Sequence, residues 1–312
     1  MLLKTNNQVY HLMRAARPRQ WIKNLSLYAA VTFGDKLFER KEFTKATFAF
    51  VIFCMLSSGT YLINDLHDSE KDKLHPIKRH RPIPSGELSR PLAKTAAVIL
   101  VALALILSLK LNFYFFLLCL TYLSLQILYT YKIRNVIILD ALVVALGFIF
   151  RVIAGGLSAS VSISSWLILA TIGLSLLLAF GKRRSERTIL SSRGLSLDTR
   201  KTLAHYPDSL LDSMISVSAS FAIITYSLFT FQVSPFHSSN LFKEYLPATL
   251  SNPKWMMLTI PLVIYGVARY LYVIYERKDA ESPERVLIND KPLFVVTTIW
   301  ALSTVFMLYV IS

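Results

Sequence analysis

Nine long apolar stretches decide what this chain can fold into. They fall near 21–38, 44–63, 92–109, 112–130, 136–157, 163–181, 210–232, 254–275 and 291–311. About 20 mostly apolar residues suffice for a helix to cross a bilayer, so the pattern predicts an all-α, polytopic membrane protein. The first stretch is the weakest, because Lys23, Asn24 and Asp35 interrupt it. The whole chain, 1–312, reads as a single integral membrane domain without an internal repeat.

Composition closes other readings. The chain is 54% hydrophobic and 17% charged, against about a quarter charged in soluble domains. The formal net charge of +15 must then lie in the loops, because a charge at bilayer depth is costly. A soluble nucleic-acid binder can be equally basic but has no use for such apolar runs, so no nucleic-acid partner is expected. Cys54 and Cys119 both lie inside apolar runs and read as small buried hydrophobes rather than a disulfide framework. The first twenty residues are polar and basic, without a central apolar run, so no cleavable signal peptide is expected.

The positive-inside rule orients the spans. With the N-terminus inside, 24 Lys and Arg residues fall in inner segments and 7 in outer ones. The inner set includes Lys71 through Arg90, the run Lys182 to Arg187 with Arg193, Arg200 and Lys201, and then Arg277, Lys278, Arg285 and Lys291. The outer set includes Lys36, Arg40, Lys110, Lys243 and Lys254. The expected topology is N-terminus cytosolic, C-terminus outside. The outer stretch 233–252 carries few charges, so a site for an anionic, water-soluble substrate belongs on the inner face.

The second span ends at Tyr61-Leu62-Ile63, and Asn64, Asp65, Asp68 and Asp72 follow. On a continued helix Asn64, Asp68 and Asp72 form one stripe, since positions four apart are neighbours. Stacked carboxylates repel one another, and a divalent cation between them relieves the repulsion. Mg²⁺ favours one or two carboxylates plus substrate phosphates and waters. A solvated helix end explains a single Asp here, but less well an acidic stripe followed at once by His75-Pro76-Ile77-Lys78-Arg79-His80-Arg81-Pro82. Acid beside base suits a magnesium–diphosphate complex, with Lys and Arg holding the phosphate oxygens.

Other inner elements face the same way. Arg17-Pro18-Arg19-Gln20-Trp21-Ile22-Lys23-Asn24 reads equally as an interfacial anchor with Trp21 at the headgroups, except that Lys23 lies past Trp21 and is expected to point inward. Tyr129-Thr130-Tyr131-Lys132-Ile133-Arg134 is an aromatic belt beside snorkelling cations, or a phosphate site using Tyr129 and Lys132. Gly181-Lys182-Arg183-Arg184-Ser185-Glu186-Arg187 is a stop-transfer signal, or a phosphate site with Glu186 as a metal or ribose partner. Asp140 and Arg151 are intramembrane ionisable groups, functional candidates by default. They share a helix face but stand about 16 Å apart, too far for an ion pair. Each therefore needs another partner: a substrate phosphate suits Arg151, and an acid on a neighbouring helix is the plainer choice.

Asn64–Asp72 resembles the N-D-x-x-D-x-x-x-D signature of the UbiA superfamily of intramembrane prenyltransferases. The Arg17–Asn24, His75–Ile83 and Gly181–Glu186 segments, with Arg269-Tyr270-Leu271-Tyr272 and Ser282-Pro283-Glu284, resemble its decaprenyl-phosphate phosphoribosyltransferase branch. The likeness spans nearly the whole chain. It implies a nine-helix bundle in a bacterial plasma membrane, with Mg²⁺ as cofactor. The implied substrates are phosphoribosyl pyrophosphate and a polyprenyl phosphate lipid; assembly as a homo-oligomer stays open. It also implies that Asn64, Asp68 and Asp72 hold the metal and that Asp65 orients the site. Lys23, Lys132, Lys182 and Arg183 would contact phosphates, with Arg79 a further contact. Aromatic prenyltransferases of the superfamily carry a second aspartate-rich motif after the sixth span. Here that place is basic, which suits a donor with an extra phosphate. The rivals are a prenyltransferase with an aromatic acceptor, and a transporter. Transport predicts broken helices at mid-membrane, for which Gly155-Gly156 and Pro261 are the only hints.

Overall fold

In hydrocarbon every backbone polar group must be satisfied within the protein, which leaves helices as the means of building such runs. The computed structural model describes residues 2–74, 78–192, 203, 205–234, 254–276 and 283–311, and these contain no strand. The elements are α1 (Leu2–Ala16), a 3₁₀ segment (Pro18–Leu27), α2 (Tyr28–Phe33), α3 (Arg40–Lys73), α4 (Arg90–Leu111), α5 (Phe113–Tyr131) and α6 (Leu139–Ala159). Then follow α7 (Ser165–Ser192), α8 (Asp208–Val233), a 3₁₀ turn (Trp255–Thr259), α9 (Ile260–Glu276), α10 (Pro283–Asn289) and α11 (Lys291–Tyr309). Arg193, Arg200, Lys201, Lys243, Arg277, Lys278, Ser282 and His75–Ile77, with most of the outer stretch 233–252, lie outside the described residues.

Among the described residues eight helices are long and apolar enough to cross a membrane. They match the second to ninth expected stretches. The first stretch is present but broken. Arg17 adopts a left-handed backbone (φ 56°), and Pro18 then opens ten residues of 3₁₀ helix rather than a regular span. Long 3₁₀ runs are uncommon and often mark function. Here the geometry lets Asn24 be fully buried. Trp21 is half-buried, and its Nε1 donates to Ser58 Oγ on α3 at 3.0 Å. Gly155 on α6 makes this packing feasible, since a Cβ there would stand 1.9 Å from the Leu27 carbonyl oxygen.

Helices α3 and α6 form the centre, with 61% and 56% of their apolar windows buried, against 22% for α4 and α11 at the periphery. One core cluster joins α3, α4, α5 and α6 around Phe53, Leu56, Phe115 and Ala154. Another joins α7, α8, α9 and α11 around Leu177, Leu211, Val267 and Val296. Ion pairs gather at one end of the bundle: the C-terminal ends of α3 and α7 and the N-terminal ends of α6, α8, α10 and α11.

Candidate active site

At that charged end α3 continues as helix well past its apolar section, because no Gly or Pro falls between Asn64 and Lys73. Outer-face pairs support it: Glu70 meets Lys73 at 3.0 Å and Arg90 at 2.9 Å. Its inward face presents Asp65, Asp68, Ser69 and Asp72, all buried. The expected stripe therefore exists, with Asp65 as a full member. Asn64 is half-buried beside it.

Each of the three aspartates meets an arginine from another part of the chain. Arg17 Nη2 lies 2.6 Å and Arg81 Nη1 3.0 Å from Asp65 Oδ1. The same Arg81 Nη1 is 2.7 Å from Asp72 Oδ2. Arg134 Nη1 is 2.5 Å from Asp68 Oδ2. Two sequence assignments shift as a result. Arg79 is exposed and turned onto His80, 3.2 Å away, because the 3₁₀ turn Lys78–His80 points it outward and brings Arg81 in. Lys132 is likewise exposed; the short 3₁₀ helix Ile133–Asn135 that follows carries Arg134 to the stripe instead. Arg17, Arg81 and Arg134 were all visible as basic residues, but their pairing depends on turn geometry that residue spacing does not encode.

A second cluster lies at the end of α7. Arg183 is 1% exposed. Its Nε is 2.5 Å from Asp140 Oδ2 on α6, its Nη1 2.8 Å from Glu186 Oε2, and its Nη2 donates to Tyr129 Oη at 3.2 Å. These contacts tie Arg183 to the wall of the bundle, joining α7 to α5 and α6. The partner of Asp140 is thus a cation on a neighbouring helix, the plainer alternative. Tyr206 also serves it, donating to Asp140 Oδ1 at 2.6 Å and accepting from the Ile138 amide at 2.6 Å. Burial, with Asp140 beside it, pushes the Tyr206 hydroxyl up, so it stays a donor. Ile138 is a β-branched residue at φ 68°, a conformation costing of order 1–3 kcal/mol. The bond to Tyr206 holds this turn, from which α6 starts.

Between the clusters lies a mixed polar lining. Lys23 Nζ is 3.3 Å from Glu284 Oε2, and Gln20 donates to Glu284 Oε1. Burial pushes the Glu284 carboxyl up, but Lys23, with Lys182 and Gln20, outweighs it and holds the group below the usual carboxylate range. Lys182 stands 3.9 Å from Glu186 Oε1, a loose pairing. Deeper in α6, Arg151 is buried and donates to neutral groups: Asn24 Oδ1 at 2.7 Å, the Gly147 carbonyl at 2.6 Å and Tyr122 Oη at 3.1 Å. Lys23, Asp65, Tyr129, Lys182 and Glu186 are thus brought toward the charged end of the bundle, while Arg151 lies deeper along α6. Glu284, Gln20 and Tyr206 join them; none of these three carried a metal, nucleophile or phosphate signature in the sequence.

Among the described residues no three His, Cys, Asp or Glu side chains gather tightly enough to hold a metal by themselves. One atom nevertheless points to a missing partner. Asp68 Oδ1 is buried and has no hydrogen-bond partner, and a buried orphan oxygen of this kind carries a desolvation penalty. One or two carboxylates completed by phosphate oxygens and water are what Mg²⁺ accepts, so the stripe fits that ion when a phosphate supplies further ligands.

Comparison with known proteins places this geometry. The model of the UbiA prenyltransferase family matches residues 29–183, from α2 to the buried Arg183. The decaprenyl-phosphate phosphoribosyltransferase of Corynebacterium glutamicum is 31% identical over 303 residues, covering 96% of this chain and 87% of that protein. The protein of the same name from Mycolicibacterium smegmatis is 32% identical over 298 residues, covering 94% and 91%. Among solved structures, a UbiA homologue from Archaeoglobus fulgidus bound to GPP and Mg²⁺ superposes with a TM-score of 0.67 at 18% identity, covering 96% of this chain and 99% of that one. At that identity the likeness speaks for the fold.

Proposed function

The chain belongs to the UbiA prenyltransferase family, and from that premise we propose that it transfers the 5-phosphoribosyl group of phosphoribosyl pyrophosphate to a polyprenyl phosphate, releasing pyrophosphate. The observation that carries this reading is the cation-rich lining beside the aspartate stripe. Beyond the three arginines on the stripe, Lys23, Arg151 and Lys182 add positive charge to the bundle, where a donor with one diphosphate alone would need fewer positive groups. The names of the mycobacterial and corynebacterial relatives support the same substrates.

In this reading the donor enters at the charged end, which the distribution of Lys and Arg assigns to the cytosol of a bacterial plasma membrane. Asp68 and Asp72, with Asn64 beside them, would hold Mg²⁺, which when bound supplies positive charge against the leaving diphosphate. Asp65 fixes Arg17 and Arg81 at the edge of the stripe. Arg81 and Arg134 face the diphosphate oxygens, and Lys23 and Lys182 the remaining phosphates. The bond from ribose C1 to the diphosphate breaks with oxocarbenium character, and a phosphate oxygen of the lipid attacks C1. That nucleophile is already anionic, so no strong general base is required. Rate enhancement comes from positioning and from electrostatic stabilisation of the leaving group. The lipid tail leaves through a groove between helices toward the bilayer.

The second reading is prenyl transfer from a prenyl diphosphate to an aromatic or other acceptor, favoured by the GPP-bound structure of the same fold. Purified protein in lipid, supplied with phosphoribosyl pyrophosphate and polyprenyl phosphate, should release pyrophosphate only when Mg²⁺ is present. Turnover of an isoprenyl diphosphate with a quinone precursor, and none of phosphoribosyl pyrophosphate, would establish the second reading instead.

A further inference from the structure

The charges of the stripe cancel. Asp65, Asp68 and Asp72 face Arg17, Arg81 and Arg134 at 2.5–3.0 Å. A divalent cation approaching these carboxylates alone meets no net negative charge. To bind, it must take oxygens from half-buried guanidiniums that already hold them. Separating each pair is unfavourable, because it deprives a partly desolvated guanidinium of its carboxylate. A diphosphate changes this balance, since it brings anionic oxygens for the arginines at the moment the metal takes the carboxylates. Arginine is well suited to such an exchange, as its planar fork matches carboxylate and phosphate alike.

The three guanidiniums differ from the buried brace in their freedom. The side chains of Arg17, Arg81 and Arg134 are 26%, 28% and 17% exposed, whereas that of Arg183 is 2% exposed. The stripe's arginines can therefore swing toward an incoming ligand without opening the core. Arg81 matters most, because one nitrogen bridges Asp65 and Asp72 and so ties two carboxylates at once. Asp68 Oδ1 is buried and without a hydrogen-bond partner, and it marks where the ion would first touch.

We infer that Arg81 and Arg134 act as built-in competitors of the metal: they keep the aspartate stripe closed to a free divalent cation, and open it only to a cation arriving with a diphosphate. This rests on the reading of the stripe as a diphosphate site, and adds an order of binding to it.

The test counts Mn²⁺ bound to the full-length protein in nanodiscs of neutral lipid by electron paramagnetic resonance, with and without inorganic pyrophosphate. The expected result is no stoichiometric Mn²⁺ site in protein alone and one or more when pyrophosphate is present. The Arg81→Gln and Arg134→Gln proteins, checked as monodisperse, should bind free Mn²⁺ roughly tenfold more tightly than the unaltered protein, within the usual range of coupling between sites. They should also hold the Mn²⁺–pyrophosphate pair less tightly. Equal Mn²⁺ occupancy with and without pyrophosphate in the unaltered protein would overturn the inference while leaving the transferase reading intact. No Mn²⁺ under either condition would overturn both.

Discussion

The ends of α3 and α7 carry similar densities of charge yet are built in opposite ways. On α3 the helix owns the acids, and their cations come from the segments around Arg17, Arg81 and Arg134, partly open to solvent. On α7 the helix owns the cation, Arg183, which is sealed beneath Asp140, Glu186 and Tyr129. In the proposed reading the first arrangement trades partners with a ligand and the second holds the wall, so two clusters of equal charge density are given different roles by the burial of their cations.

The largest expected effect tests the α3 side. Asp68→Asn keeps the size of the side chain and should lower transfer by about 10³-fold, comparable to losing a key electrostatic contact to a developing charge. The variant should remain folded and inserted in the membrane, and a turnover within a few-fold of normal would sink the metal assignment. The α7 side should respond in reverse. Arg183→Met removes the cation that joins Asp140 to Glu186 and should cost about 3–5 kcal/mol of stability, read as an early thermal transition in lipid nanodiscs. An Arg183→Met protein as stable as its parent would place this arginine among the exchangeable ones.

A smaller contrast separates neighbours in sequence. Arg81→Gln and Arg134→Gln should each raise the KM for phosphoribosyl pyrophosphate by about tenfold, the scale of a hydrogen bond to a charged group. Arg79→Gln and Lys132→Gln should change it by less than about twofold. Equal effects at all four positions would mean that the turns do not discriminate among them. Tyr206→Phe, which strips the bonds to Asp140 and Ile138, should cost about 1–2 kcal/mol. The smallest effect is acidic. Glu284 is held below the usual carboxylate range, so the folded state binds fewer protons there than the unfolded chain. Its contribution is complete above about pH 5 and is lost as pH falls through the ordinary carboxylate value and then the lower folded one. Unfolding temperatures measured downward from about pH 6 should fall more steeply for the unaltered protein than for Glu284→Gln. Parallel profiles would remove Glu284 from the account.

Much of the architecture could be read from residue spacing alone. Apolar run length predicted the eight long helices, and the spacing of Asn64, Asp68 and Asp72 predicted a stripe on a helix that outlasts its span. Spacing also implied that Asp140 and Arg151 do not pair, and they do not. What it could not supply was the partner of each charge. Periodicity places a residue on a face of its own helix, whereas Arg81, Arg134 and Glu284 reach the site through turns and through helices distant in sequence. The broken first span was likewise only hinted at by Lys23 and Asn24, because a buried 3₁₀ segment depends on Ser58, Gly155 and Arg151 standing opposite it.

The central claim is that the stripe on α3 serves a sugar donor rather than a prenyl donor. One competition experiment addresses it directly. Purified protein in lipid with Mg²⁺ is given phosphoribosyl pyrophosphate, polyprenyl phosphate, an isoprenyl diphosphate and an aromatic acceptor together, and the lipid products are weighed by mass spectrometry. The account predicts polyprenyl phosphate heavier by one phosphoribosyl group and an unchanged aromatic acceptor. A prenylated acceptor with no phosphoribosylated lipid would contradict it.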